Sequence, residues 1–372
     1  MIEQQRNWDS IVIGGGLVGL AIAYGLGRLG RSCLVLDAGD LDFRASRGNF
    51  GLVWVQGKGS GFPPYADWSM SSSQSWPDLA AMLHEQTGAP LALEQKGGLD
   101  VCLTEDELNT RTAELTTLSQ HQNGRFQFKV LDRQALAEIQ PGIGDVAGAT
   151  WSPHDGHVSP LYLMRGLHDA IHHQKGYVKT SCPVTAITKT GSDIRVTTTD
   201  GDVTAPRLVL AAGLGNRDLA PLIGLKQAVK PQRGQIMVTE KLPLQMRYPM
   251  VTLRQTAEGS MMIGDSHEDA GLDVSSTRPV MAEIASRAER ILPALSHAQI
   301  VRSWAALRVM SPDGYPIYDQ SPDIPGAFAV TCHSGVTLAA AHAFDLARCV
   351  HDGHLGPHLT SFSERRFDVS AA

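Results

Sequence analysis

Ser10-Ile11-Val12-Ile13-Gly14-Gly15-Gly16-Leu17-Val18-Gly19, residues 10–19, decides how this chain is read. The apolar run 10–13 predicts a short buried strand, and Leu20 to Leu29, rich in helix formers and closed by Gly30, predicts a helix. The glycines between them have separate tasks. Gly14 permits a tight turn, Gly16 lets a pyrophosphate approach the backbone, and Gly19 lets the helix pack close to the strand. The helix start at Leu17 and Val18 offers free N–H groups and a positive dipole end to the phosphates. A second strand is predicted over Ser32–Leu36, and the carboxylate that closes it, Asp37, suits a ribose 2′-hydroxyl. Strand, glycine turn, helix and acid in this order predict dinucleotide binding and leave both NAD and FAD open.

The chain has 372 residues, enough for two or three domains or one discontinuous core with an insertion. With 42% hydrophobic and 19% charged residues it is neither disordered nor a charged coiled coil. A net charge of −6 argues against nucleic acid or an anionic membrane as partner. Cys33, Cys102, Cys182, Cys332 and Cys349 are scattered without a C-x-x-C pair, the pattern of a reducing compartment. The polar N-terminal stretch MIEQQRNWD is not a signal peptide, and the uncharged stretches Ile11–Gly27 and Ala327–Phe344 are too glycine-rich or histidine-bearing for a bilayer span. A soluble, cytoplasmic protein is expected. No metal site is expected either: His168 and His172 stand four apart on a predicted helix, Pro160–Lys175, but lack a third ligand.

Two distant segments bear on the cofactor. Asp193–Thr199, a turn at Asp200-Gly201 and the return through Val203 predict a meander that feeds a buried strand, Leu208–Ala212, ending in Gly213-Leu214-Gly215. Small residues at such a strand end allow a cofactor to come close. Ala327–Thr331 predicts another buried strand, and Cys332-His333-Ser334-Gly335-Val336-Thr337 leads into a helix expected to run to about Val350. A helix N-terminus there would stabilise the negative charge that develops on a reduced flavin pyrimidine. An NAD-linked Rossmann dehydrogenase, the competing class, needs neither this feature nor such dispersed cofactor segments.

IVIGGGLVGLAIA, Asp37, Ser46-Arg47, LVLAAGLG, WAALRVMSPDGYPIYD at 304–319 and HSGVTLAAAHA at 333–343 together resemble the D-amino-acid-oxidase family of FAD-dependent oxidoreductases. Within it, ASRGNFGLVWVQGKG at 45–59 resembles the beta subunits of opine oxidases and D-hydroxyproline dehydrogenases. The resemblance implies an α/β fold: a Rossmann-like FAD-binding domain, a doubly wound parallel sheet with a β-meander, interleaved with a smaller α+β substrate domain on a mostly antiparallel sheet. The first domain is expected over 1–61, 150–226 and 301–372, the second over 62–149 and 227–300. It also implies that Gly14, Gly16 and Gly19 hold the pyrophosphate and Asp37 the ribose. Ser46, Arg47 and Asn49 would lie beside the pyrophosphate and isoalloxazine edge, Val184 at the adenine, Ala212 and Gly213 at a second contact, and Ser334, Gly335, Val336 and Thr337 at the flavin pyrimidine. Asp37 departs from the commoner family Glu. No cysteine lies near 304–310, so the FAD is expected to be non-covalent, with FMN or an iron–sulfur centre only through a partner subunit.

Arg308 matches the arginine that clamps the substrate carboxylate in glycine-oxidase-like relatives, a task suited to a bidentate, permanently charged fork. The alternative is an arginine that ends an exposed strand or pairs with Asp313. The expected reaction is oxidation of the CH–NH bond of a small amino acid or N-substituted amino acid, of opine, D-hydroxyproline, glycine or sarcosine type. Hydride passes to flavin N5 and leaves an imine that hydrolyses. His333 would tune the amine's protonation or contact the flavin. Gly264-Asp265 is read as a turn after a strand. Met262, by alignment, replaces an oxygen-activating lysine, which favours a dehydrogenase handing electrons to a larger alpha-type subunit. A support or electron-relay subunit is the other possibility.

Beyond the cofactor segments, 62–88 reads as helical, 91–103 as a hairpin turning at Gly97-Gly98, 104–122 and 132–139 as helices. Strands are expected around 234–239, 250–254 and 260–264, then a helix over 279–291.

Overall fold

The computed structural model describes residues 7–39 and 44–371, residues 369–371 by backbone alone; the first six residues of the N-terminal stretch read above lie outside the described residues. Its centre is a six-stranded sheet in the order Ile317–Gln320, Ala327–Thr331, Leu208–Leu210, Ser10–Ile13, Cys33–Leu36, Tyr177–Lys179. Only the first of these runs antiparallel to its neighbour. Side chains alternate between the two faces of a strand, and the buried residues sort accordingly. Val12, Val35, Val209 and Phe328 face a layer of helices that includes Leu17–Arg28, Pro63–Thr87 and Pro160–His173. Ile11, Ile13, Leu34, Leu36, Leu208 and Leu210 face the meander Val184–Thr190, Asp193–Thr198, Gly201–Ala205. Each such aliphatic side chain contributes roughly 1.5–3 kcal/mol by burial, which is why the central strands are apolar on both faces.

The helix Leu17–Arg28 lies close to the C-terminal segment: a Cβ on Gly25 would stand 2.1 Å from the Ala343 carbonyl oxygen. That segment departs from expectation. Helix begins only at Ala339, with a π-helical stretch over His342–Leu346, and 335–338 form a turn. The physical reason lies in the helix Pro63–Thr87. Trp76 Nε1 donates to the carbonyls of Val336 and Thr337 at 3.1 Å each, and Ser72 Oγ donates to Thr337 O at 2.7 Å, so side chains satisfy the turn.

A second, antiparallel sheet runs Leu253–Gln255, Ser260–Ile263, Lys230–Lys241, Ile300–Met310, backed by the helix Arg278–Ile291. A three-stranded sheet orders Gly98–Cys102, Gly148–Ser152 and Lys129–Asp132. The expected hairpin at 91–103 is therefore not formed: Gly98–Cys102 pairs with a strand some fifty residues on, and 91–97 forms no strand, making a single bridge to His157 through Glu94. Gly97 and Gly98 serve space instead of a turn. A Cβ on Gly97 would lie 2.5 Å from the Trp151 indole nitrogen, and one on Gly98 would lie 2.4 Å from the Trp54 ring.

Candidate active site

The glycine turn is built to be approached. Gly14 has φ +114°, in the left-handed region, and a Cβ there would meet the Ala211 carbonyl oxygen at 2.3 Å; one on Gly19 would meet Gly14 O at 1.9 Å. Asp37, at the end of Cys33–Leu36, accepts from Gly15 N at 2.6 Å and Gly39 N at 2.9 Å. Ser46 Oγ accepts from Leu17 N at 2.9 Å and so caps the helix start. On the facing wall, buried Asn216 accepts from Ala212 N at 2.9 Å and donates to Leu210 O, Val330 O and Thr331 Oγ1 at 3.3, 3.0 and 2.8 Å. It ties the ends of two parallel strands together beneath the cavity.

That cavity is about 1350 Å³ in volume. It is lined by Gly14, Gly16, Leu17, Val18, Asp37, Ser46, Arg47, Asn49, Val184, Ala212, Gly213, His333 and Gly335 among the residues singled out from sequence. Gly19, Ser334, Val336, Thr337 and Arg308 stand outside its lining. Val336 and Thr337 are buried, and Thr337 Oγ1 accepts from Trp54 N at 3.2 Å, so they hold the wall from behind.

At the flavin-proximal end expected from sequence, Ser334 Oγ receives Lys58 Nζ at 2.7 Å, meets Tyr65 OH at 2.6 Å and His333 Nε2 at 3.2 Å. Burial, then the charges of Lys58 and Arg308, push His333 down to about 3, so its imidazole is neutral. Burial also pushes the Cys332 thiol up to about 12. Arg308 pairs with Asp265, not with Asp313, which binds Arg366. Its Nη1 donates to Ser266 O at 2.8 Å and Arg233 O at 3.3 Å, and the guanidinium lies over Gly234, where a Cβ would be 2.6 Å from Nη1. Asp265 Oδ1 also faces His267 Nε2 at 3.6 Å. Gly264-Asp265 does follow a strand, but it supplies the partner of Arg308.

Behind this end, Asp155 accepts from Val55 N at 2.6 Å and Gln56 Nε2 at 2.7 Å, holding the segment that leads to Lys58; burial lifts its carboxyl to about 7. Lys58, Tyr65, Asn216 and Asp265 were not identified from sequence. Lys58 had a local signal in its two flanking glycines and Asp265 one in the Gly264-Asp265 pair, which was read only as a turn; Tyr65 and Asn216 acquire their roles from distant segments.

A family model described as FAD dependent oxidoreductase, the DAO family, matches residues 9–348. The chain belongs to this family. It is 45% identical over 366 residues to the B subunit of opine oxidase from Agrobacterium tumefaciens (strain Ach5), covering 98% of this chain and 99% of that one. Identity to the B subunit of opine oxidase from Rhizobium meliloti is 44%, with the same coverage. The solved structure of glycine oxidase from Geobacillus kaustophilus matches with a TM-score of 0.87 over 96% of this chain and 98% of that chain, at 24% identity, which shows the fold. The protein is an FAD-dependent oxidoreductase, and its cavity fits the cofactor: the glycine turn leaves the space a Cβ would fill, and the Asp37 carboxylate lines the same cavity beside that turn. Among the described residues no helix is long and apolar enough to cross a membrane, and no group of three His, Cys, Asp or Glu side chains could hold a metal ion.

Proposed function

We propose that this protein oxidises the CH–NH bond of a small carboxylate-bearing amino acid or N-substituted amino acid of the opine type. One observation carries the reading: the Arg308 guanidinium, already gripping a carboxylate in Asp265, lies near His333, whose ring lines the cavity. The relatives named as B subunits of opine oxidase support the same substrate class.

In this reading Gly14, Gly16 and the Leu17-Val18 N–H groups hold the FAD pyrophosphate, Asp37 the ribose, Val184 the adenine, and Ala212, Gly213 and Gly335 the remaining length. FAD supplies a two-electron acceptor for the hydride of the carbon that bears the amine. Arg308 holds the substrate carboxylate by a bidentate pair of hydrogen bonds, which fixes the distance from that carbon to the acceptor. His333, a neutral imidazole, acts as a hydrogen-bond partner of the amine and is a poor base, because burial and the nearby cations disfavour the imidazolium that taking a proton would create. The resulting imine is hydrolysed by water. The same proposal treats the chain as two interleaved domains, with Ile300–Met310 carried by the antiparallel sheet, and as one subunit of a larger assembly that receives the electrons.

Anaerobic addition of glycine, sarcosine, D-hydroxyproline and a set of opines to the yellow holoprotein tests this. Bleaching of the flavin band by at least one is expected. Failure of every compound would favour a support or electron-relay subunit. Co-purification with a larger subunit is expected as well, and full activity of the isolated chain with oxygen would count against the partner.

A further inference from the structure

The C-terminal segment lies beyond residues 9–348, which the family model matches, and it is tied down at both ends. At its root, Ser363 Oγ donates to Asp319 Oδ1 at 2.6 Å and Glu364 N to Asp319 Oδ2 at 3.0 Å, on the strand Ile317–Gln320 of the six-stranded sheet. Glu364 Oε1 accepts from Ala228 N at 2.9 Å, just before the strand Lys230–Lys241 of the antiparallel sheet. Arg366 reaches the turn 311–315, where the chain leaves the strand of Arg308 for the six-stranded sheet. Its Nε and Nη2 donate to Asp313 at 2.7 and 2.9 Å, Nη2 also to Tyr315 O at 3.2 Å, and Nη1 to Phe362 O and Ser363 O at 2.7 and 3.3 Å. A guanidinium has five N–H donors, so all of them are used. Asp313 in turn accepts from Ser311 Oγ and Tyr315 N at 3.1 and 3.0 Å, so one carboxylate holds both the turn and the C-terminal segment. At 16% and 29% side-chain exposure, Arg366 and Asp313 are more than a surface ion pair, and the bidentate geometry makes the tie specific. The next residue, Phe367, packs against Val229, Val309 and Ile317, the cluster on which Ala45 and Leu214 also rest. Val309, Ala45 and Leu214 line the cofactor cavity, and Val309 Cγ2 stands 3.3 Å from where a Cβ on Gly213 would be. One segment therefore fastens two of the places where the chain passes between the sheets, 224–229 and 311–316, behind one wall of the cavity.

We propose that Ser363–Phe367 is a strap that fixes this wall for the cofactor, with Arg366 as its positioning residue: closing the strap favours FAD binding, and bound FAD holds the strap closed. The physical reason is shared ordering. Val309 and Leu214 line the space that FAD takes, and with the Arg366–Asp313 pair open, binding must also order the turn 311–315 and Phe367, which weakens it. A coupling free energy between two sites acts equally in both directions. This coupling is independent of the substrate.

Hydrogen exchange of the wild-type holoprotein, and of the same full chain stripped of FAD, reads one direction of the coupling. Amides of 363–367 should exchange roughly tenfold more slowly with FAD bound. Titration of FAD into the stripped protein, followed by flavin fluorescence, reads the other. Arg366→Gln and Asp313→Asn should each weaken FAD roughly tenfold, and the two together should weaken it no more than either alone. Arg365→Gln, at an exposed neighbouring position, should stay within about twofold of wild type. The proposal is overturned if exchange at 363–367 is the same with and without FAD, or if Arg366→Gln and Asp313→Asn bind FAD as wild type does. Equal loss of urea stability with and without FAD, at unchanged FAD affinity, would make the pair merely structural and overturn it too. Should a variant fail to fold, the wild-type exchange measurement decides.

Discussion

Arg308 lies directly over Gly234: its Nη1 is 2.6 Å from where a Cβ on residue 234 would be, so the position of the guanidinium depends on the absence of a side chain on the neighbouring strand. Gly234→Ala should displace the fork by a fraction of an ångström without touching the cofactor cavity. We expect kcat/KM to fall roughly tenfold to hundredfold with FAD content unchanged. Steady-state kinetics beside the flavin absorbance ratio would check it, and unaltered kinetics would mean the arginine does not position substrate.

Arg308→Ala removes the fork itself. Bound FAD should persist while turnover drops by about a thousandfold, and Arg308→Lys should recover little, because an ammonium cannot make the bidentate pair. Normal kinetics in either variant would refute the carboxylate clamp.

Gly14→Ala attacks the cofactor turn. The added methyl meets the Ala211 carbonyl at 2.3 Å in a backbone region that costs other residues roughly 1–3 kcal/mol. The purified variant should carry less than about a tenth of the wild-type flavin. Full occupancy would show that the turn does not approach the pyrophosphate.

Asn216 makes four hydrogen bonds from a fully buried position. Asn216→Ala takes this partner from three backbone groups and the Thr331 hydroxyl, and a loss of about 2–4 kcal/mol in urea unfolding is expected, with weaker retention of FAD on dialysis. An unfolding curve within about 0.5 kcal/mol of wild type would remove the residue from the account.

His342 is fully buried beside Tyr318 OH at 2.8 Å, and burial pushes it from 6.5 down to about 3. The folded value lies below the unfolded one, so its contribution is complete above pH 6.5 and is lost as pH falls toward 3. Between pH 7 and 5 this amounts to about 2 kcal/mol. His157, pushed to about 4, and His333 act in the same direction. Asp155 acts in the opposite one, since its folded value near 7 exceeds 3.8 and its contribution wanes as pH rises between them. Chemical unfolding at pH 5 and 7 isolates the histidine: His342→Phe should show the smaller stability difference between the two pH values. An unchanged difference would mean that His342 is protonated in the fold.

What residues 10–37 determine by themselves is local. Strand, turn, helix and acid follow one another within some thirty residues, and each glycine's task is steric, so the glycine turn that lines one end of the cavity was legible before any tertiary contact was known. The hairpin over 193–205 was legible for the same reason, its turn joining two strands that are chain neighbours, while the strand Val184–Thr190 that completes the meander was not read. Tertiary structure decided the rest. Gly97-Gly98 carries the local mark of a hairpin, yet its space is needed by Trp54 and Trp151 and its strand pairs with Gly148–Ser152, a competition that sequence order does not record. Helix formers after Gly335 do not start a helix there, because Ser72 and Trp76, more than 250 residues away, bind the carbonyls first. The substrate end is the clearest case. Arg308 was visible as a residue type, but its acid partner at 265 and the space left by Gly234 come from separate segments, and a charge acquires its meaning only from the neighbours that folding brings within a few ångströms.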